Sequence, residues 1–199
     1  GLDHLFAPTN DMMYTPNHAT FVTAEGFEDI AEGKSRPGHF RGVATVVTKL
    51  LNIVQPTKAY FGQKDAAQTV LIKRIVEDLN IPTEICIEPT LREVDGLAMS
   101  SRNTYLAPEE RRVAPVVYRS LCAARDLLAS GTTNQAADLE SAVRAVLQNE
   151  PLVSEVHYVA VDSATTMRPL VEIDSKPGGA LVSIAVKIGN VRLIDNILL

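Results

Sequence analysis

The sequence predicts an α/β chain in two parts: a doubly wound parallel sheet up to about residue 90, then a small α+β domain over residues 91–199. Three observations carry this. Between Ala59 and Ile87 a short apolar strand, an amphipathic helix and a second short strand follow one another with short links, the β-α-β pattern of a parallel sheet. From Pro108 onward the pattern turns to two helices. The end of the chain reads as an antiparallel hairpin about Gly189-Asn190.

In chain order, Leu5–Pro8 and Thr20–Ala24 are expected to be short strands, with a short polar helix about Phe27–Gly33. Val43, Val46, Val47, Leu50, Leu51 and Val54 then fall on one face of a helix that Pro56 stops. Ala59–Gly62 reads as a buried strand. Asp65–Leu79 reads as a helix with Ile72, Ile75, Val76 and Leu79 on one face, and Glu84–Ile87 as the next strand. A polar loop over Glu93–Asn103 separates the parts. A long helix is expected over Pro108–Ala129: Pro108 suits its first turn, Glu109 and Glu110 suit its positive end, and Gly131 its exit. Pro115 is placed to kink it. A helix over Gln135–Gln148, a strand over Val156–Val161 and the arms Ala180–Ile188 and Val191–Ile194 complete the domain.

The chain has 199 residues, 46% apolar and 22% charged, with a net charge of −5, so no general attraction to nucleic acid or an anionic membrane is expected. No run of apolar residues reaches the length of a membrane span. Gly1-Leu2-Asp3-His4 has neither the basic nor the long apolar region of a signal peptide, and Gly1 in place of Met suggests a processed chain or a fragment. Cys86 and Cys122 are expected as small buried hydrophobes in a reducing, cytoplasmic setting; no Cys/His spacing suggests zinc.

Three constellations carry chemistry. Gly62-Gln63-Lys64-Asp65 falls where a parallel strand meets a helix, the edge at which open α/β sheets bind ligands. Gly62 allows close approach, the helix start offers N–H groups to an anion, and Lys64 adds a mobile charge. Taken alone, the tetrapeptide fits a plain turn better, with Asp65 as N-cap and Lys64 solvated. Asp95-Gly96-Leu97-Ala98-Met99-Ser100-Ser101-Arg102-Asn103 begins with a turn signal and ends in two hydroxyls and an Arg, a donor set able to wrap phosphate oxygens, or an ordinary interdomain loop. Ser35-Arg36-Pro37-Gly38-His39-Phe40-Arg41-Gly42 gathers positive charge before a helix.

In SRPGHFRGV, FGQKD and DGLAMSSRN, with their spacing, and in VRLIDN at Val191–Asn196, the sequence resembles the pantothenate synthetase family of the nucleotidylyltransferase superfamily across essentially its whole length. The resemblance implies a Rossmann-like first domain, a C-terminal lid, cytoplasmic location and a homodimer paired through the segment about Thr20–Ala24. It implies a two-step reaction. Pantoate and ATP give pantoyl adenylate and pyrophosphate; β-alanine then displaces AMP, with Mg²⁺ on the phosphates. Gly62, Gln63, Lys64 and Asp65 would contact ATP, with Lys64 on phosphate and Asp65 near ribose, and the Leu91 backbone would face adenine. Met99, Ser100, Ser101 and Arg102 match the superfamily's second phosphate signature. Lys64, Ser100, Ser101 and Arg102 would act catalytically; Gln68 would bind pantoate, and Arg36 and His39 would line the pantoate and β-alanine side.

Gln63 stands where many bacterial members carry Glu, as in fungal-type members, and Ala66 and Ala67 replace an aromatic and a Gln. The family's HIGH-like motif and a second pantoate-binding Gln do not occur. The N-terminal part of the sheet is therefore expected to precede residue 1, and the isolated 199 residues are expected to be inactive. Another nucleotidylyltransferase and a non-catalytic fragment of this family are the competing readings.

Overall fold

The computed structural model describes residues 1–174 and 178–199. Two sheets organise them. Strands β1 (Lys58–Gly62) and β2 (Glu84–Glu88) pair in parallel. Strands β3 (Val153–Ser163), β4 (Ala180–Ile188) and β5 (Val191–Leu198) form an antiparallel sheet in the order β3-β4-β5.

The N-terminal segment carries two short helices, α1 (Asn10–Met13) and α2 (Ala31–Ser35). Leu5–Pro8 and Thr20–Ala24 form no strand. A strand needs a neighbouring ladder, and along Thr20–Ala24 the Val22 N–H goes instead to the Thr45 hydroxyl at 3.0 Å. The helix expected over Phe27–Gly33 starts later, at Ala31, after a stretch of turns over residues 25–29 that contains Gly26 at φ 85°.

Helix α3 (His39–Val54) follows and ends where Gln55 turns left-handed ahead of Pro56. A 3₁₀ turn over Gln63–Asp65 joins β1 to α4 (Ala66–Asp78). Val43, Val47 and Leu51 of α3 and Leu71, Ile72 and Ile75 of α4 bury their apolar faces together. Burying each such side chain contributes about 1.5–3 kcal/mol. This core also takes in Met167 and Leu181 from the second half of the chain.

The expected single helix over Pro108–Ala129 is two helices, α5 (Pro108–Val113) and α6 (Val116–Ala129). Pro115 lacks an N–H and its ring collides with the preceding turn, so the break falls beside it. Helices α6 and α7 (Ala136–Gln148) cover one face of the antiparallel sheet. Their Val117, Leu121, Leu139 and Val143 pack on Val182, Ile184 and Val186. Cys86 and Cys122 are unpaired and half-buried rather than fully buried.

Strand alternation places the site. Register pairs Asp162 with Leu181, Ala160 with Ser183, and Tyr158 with Ala185; across β4 and β5, Ser183 pairs with Asn196 and Ala185 with Ile194. Those residues therefore share one face, opposite the helix-covered one. That face meets the Gln63–Asp65 turn and the start of α3.

Candidate functional site

The Gln63–Asp65 turn is fixed by the last strand. Asn196, 4% exposed, donates from Nδ2 to the carbonyls of Gln63 (3.0 Å) and Lys64 (2.9 Å). Its Oδ1 accepts from Gln63 Nε2 at 3.2 Å. One side chain thus satisfies two backbone acceptors and one donor of the turn, and sets the direction in which Lys64 leaves it. Lys64 lines two adjoining cavities, and none of the ion pairs among the described residues includes it.

The first cavity, about 40 Å³, is shared by Arg36, His39, Lys64, Asp65 and Gln68 with Tyr158, Asp162 and Ser183. The second, about 10 Å³, holds Lys64, Ser100 and Arg102 beside Arg192. The first volume suits a few water molecules and the second at most one. Gln63 lies in a third groove, with Arg92 and Lys73. Gly62, Leu91, Met99 and Ser101 line none of these three spaces. A Cβ on Gly62 would meet only open space, and its φ of −85° suits any residue, so the glycine leaves room rather than relieving strain. Asp65 takes the N-cap position of α4, but its carboxylate makes no capping hydrogen bond.

Arg36 Nη1 lies 2.9 Å from His39 Nε2 and 3.4 Å from Glu32 Oε1. A guanidinium only donates, so Nε2 accepts and the proton of neutral His39 sits on Nδ1. Burial, and then the Arg36 charge, hold the His39 pKa below the ordinary histidine value. Glu32, 8% exposed, also takes both arms of Arg192, with Nη2 at 2.6 Å and Nη1 at 3.3 Å. Burial works to raise its pKa, but the hydrogen bond and charge of Arg192 outweigh that and hold it low. Tyr158 is pushed well above the ordinary tyrosine range by burial first and by the Glu32 charge second.

The Glu93–Asn103 loop is a folded platform. Arg92 and Ala98 form an antiparallel bridge, and Asp95 Oδ1 accepts from Leu97 N at 3.1 Å. Gly96 sits at φ 91°, with Tyr118 2.7 Å from where a Cβ would be, so both conformation and space demand glycine. Ser100 caps the 3₁₀ turn Ser101–Tyr105 by accepting from Arg102 N at 3.2 Å. Arg92 ties the platform to β5: its Nη1 and Nη2 reach Asp195 at 2.6 and 3.0 Å, and its guanidinium lies 3.8 Å from the Tyr118 ring centroid.

Several residues of the site were given no role from the sequence: Glu32, Arg92, Tyr158 and Asp162, and, within the quoted VRLIDN run, Arg192, Asp195 and Asn196. A signal existed. In Val191–Leu198 the alternation breaks at Asp195-Asn196, two neighbouring polar residues in an apolar strand, and both are buried. Adjacent buried polar groups need partners on both faces of the sheet.

A sequence profile described as Pantoate-beta-alanine ligase matches residues 1–198. The Pantothenate synthetase of Chloroflexus aggregans is 53% identical over 199 residues, covering 100% of this chain and 70% of that protein. That of Herpetosiphon aurantiacus is 50% identical, covering 100% and 71%. Among solved structures, the pantothenate synthetase of Thermus thermophilus superposes with a TM-score of 0.91 at 43% identity, covering 99% of this chain and 70% of that one. The pantoate-beta-alanine ligase of Francisella tularensis, complexed with beta-gamma ATP and beta-alanine, gives 0.67 at 30% identity over 94% and 61%.

Proposed function

The chain belongs to the pantoate-beta-alanine ligase family, and from that premise we propose how its residues serve the ligation. It is an ATP-dependent ligase that condenses pantoate with β-alanine through pantoyl adenylate, releasing pyrophosphate and AMP. The observation that carries the reading is the position of Lys64. It stands between a cavity holding Arg36, His39 and Gln68 and one holding Ser100 and Arg102.

Lys64, Ser100, Ser101 and Arg102 hold the ATP phosphates and stabilise charge on the leaving pyrophosphate, which is positioning and electrostatic work. Gly62, Gln63, Asp65, Met99 and the backbone of Leu91 complete the nucleotide site. Gln68, with Arg36 and neutral His39, lines the side of the acyl substrate and the amine. No group of three or more His, Cys, Asp or Glu suited to a metal occurs among the described residues. The donor set therefore fits a Mg²⁺ ion held chiefly by phosphate oxygens, where it would neutralise charge.

Residues 1–90 form the remainder of a nucleotide-binding unit and residues 91–199 a lid. The separate apolar core built on α6, α7 and the antiparallel sheet supports this division. The bonds from Asn196 and Arg192 to the first unit act as the lid's latch. The enzyme works in the cytoplasm as a two-fold homodimer; the extended Thr20–Ala24 segment, with Phe21 44% exposed, offers backbone for pairing between subunits.

The decisive experiment joins these residues to the part of the Chloroflexus aggregans relative that they do not cover. Single-turnover pyrophosphate release should require pantoate and no amine, and AMP release should then require β-alanine. Pyrophosphate release indifferent to pantoate would overturn the proposal. Sedimentation at micromolar concentration should give a dimer; monomer alone would remove the two-fold pairing.

A further inference from the structure

Asp195 and Asn196 are adjacent and buried in β5, and between them they bind both segments that carry the phosphate-type motifs. Neighbouring residues of a strand point to opposite faces, so the two side chains reach different parts of the chain. Asn196 Nδ2 donates to the carbonyls of Gln63 and Lys64 at 3.0 and 2.9 Å. Asp195 takes Arg92 Nη1 and Nη2 at 2.6 and 3.0 Å, and its Oδ1 also accepts from Asn196 N at 2.8 Å. Arg92 Nη1 passes the connection on to the Gly96 carbonyl at 3.1 Å, and the Arg92–Ala98 bridge carries it to the foot of the Met99–Arg102 run. Among the described residues no hydrogen bond runs directly between the Gln63–Asp65 turn and residues 91–103. The register of Lys64 against Ser100 and Arg102 therefore passes through these two side chains of β5.

Resting on the ligase reading above, we propose that Asn196 is a positioning residue for adenylate formation. It acts through the main chain of Lys64 and aims the Lys64 ammonium at the phosphate oxygens held by Ser100 and Arg102; the Asp195–Arg92 pair fixes the other side of that register. Asn196 does not line the cavity that holds Lys64, Ser100 and Arg102, so it works without touching phosphate. The turn has little support of its own: it is a single 3₁₀ turn, and the Asp65 carboxylate makes no capping bond to α4. The base of the long Lys64 side chain is the peptide that Asn196 grips, so a rotation of that peptide is magnified at the ammonium. Phosphoryl-type transfer rests on placement, and a group displaced by about 1 Å costs on the order of 10² in rate.

The test is a double-mutant cycle between Asn196 and Lys64, read in two ways. On the purified 199-residue chain the probe is inorganic pyrophosphate, its binding measured by calorimetry. Lys64→Ala should weaken that binding roughly 10-fold or more, the loss typical of one charged hydrogen-bond donor. Asn196→Ala should weaken it by a comparable factor in the wild-type background, and by less than about 2-fold in the Lys64→Ala background. In the joined full-length protein, with ATP and pantoate saturating, Asn196→Ala should slow single-turnover pyrophosphate release on the order of 10²-fold. The half-saturating pantoate concentration should stay within about 3-fold of wild type, and the substitution should add nothing to Lys64→Ala. Asn196→Leu keeps the volume without the amide, should behave alike, and carries the test if Asn196→Ala does not fold. A residue that merely stabilises the fold would act equally in both backgrounds. Unchanged pyrophosphate affinity or near-normal release in the Asn196 variants, equal losses with and without Lys64, or no pyrophosphate binding to the wild-type chain would each overturn the proposal. Pyrophosphate release without pantoate dependence in the joined protein, with the cycle on the 199-residue chain intact, would sink the ligase reading and leave the positioning of Lys64 standing.

Discussion

Replacing Asn196 by Ala removes the three hydrogen bonds that hold the Gln63–Asp65 turn, at 3.2, 3.0 and 2.9 Å. A hydrogen bond of this kind contributes about 1 kcal/mol net, so the loss should be about 3 kcal/mol. For a chain of this size that lowers the midpoint of thermal unfolding by about 6–12 °C. Asn196→Asp separates the amide donors from simple shape. A carboxylate fits the space but cannot donate to the Gln63 and Lys64 carbonyls, so this variant should lose at least two of the three bonds. Thermal unfolding followed by circular dichroism, supported by urea titration at constant slope, reads both. A shift under about 2 °C for Asn196→Ala, or wild-type stability in Asn196→Asp, would show that the turn holds itself and that β5 is not its latch.

In the joined full-length protein, Lys64→Ala and Arg102→Ala should each slow adenylate formation by a factor on the order of 10² to 10³ while the fold persists; near-normal pyrophosphate release from both would remove the phosphate assignment. Asp195→Ala leaves Arg92 facing a space that held a side chain 1% exposed, and should cost about 3–5 kcal/mol in a urea titration; a loss below about 1 kcal/mol would show the pair to be dispensable. The pH dependence has two opposing parts. Asp162 has a folded pKa of about 6 against an ordinary 3.8, so the folded state binds its proton more tightly. Its contribution is most favourable below about pH 4 and is lost as pH rises through 6, by roughly 3 kcal/mol. The stability of Asp162→Asn relative to wild type should therefore climb between pH 4 and 6, and a flat difference would refute the assignment. Glu32 has the opposite sign: its pKa is held below 4.5, so its contribution is present above that value and falls away as pH drops beneath it. Arg192→Gln should flatten that acid limb of the stability profile; an unchanged limb would place its cause elsewhere.

Most of the architecture was legible because it is written in local periods. The apolar spacing of Val43, Val47 and Leu51, the stop at Pro56, the two short strands about Asp65–Leu79 and the Gly189-Asn190 turn each specify an element from neighbouring residues alone. The phosphate-type assignment of Gly62–Asp65 and Met99–Arg102 rests on the same kind of local signal, short runs whose residue types fit a chemistry. Thr20–Ala24 was misread as a strand because pairing is not a local property; an extended segment becomes a strand only where a second backbone lies beside it. The helix over Pro108–Ala129 was half-read, since Pro115 announces a disturbance without saying whether the chain bends or breaks.

What the sequence by itself determined is the set of elements, their order and the residue types available for chemistry. What only the tertiary structure decided is which polar groups face one another. Asn196 lies more than 130 positions from the turn it fixes, and Arg192 is 160 positions from Glu32. Asp162 becomes a buried, unanswered charge only because the register of β3 on β4 puts it on the face that lines the inner cavity. Helical and strand periods are set by backbone geometry within a few residues, whereas the partner of a buried charge is set by how whole elements pack. That information enters the molecule only when the sheet closes on the turn.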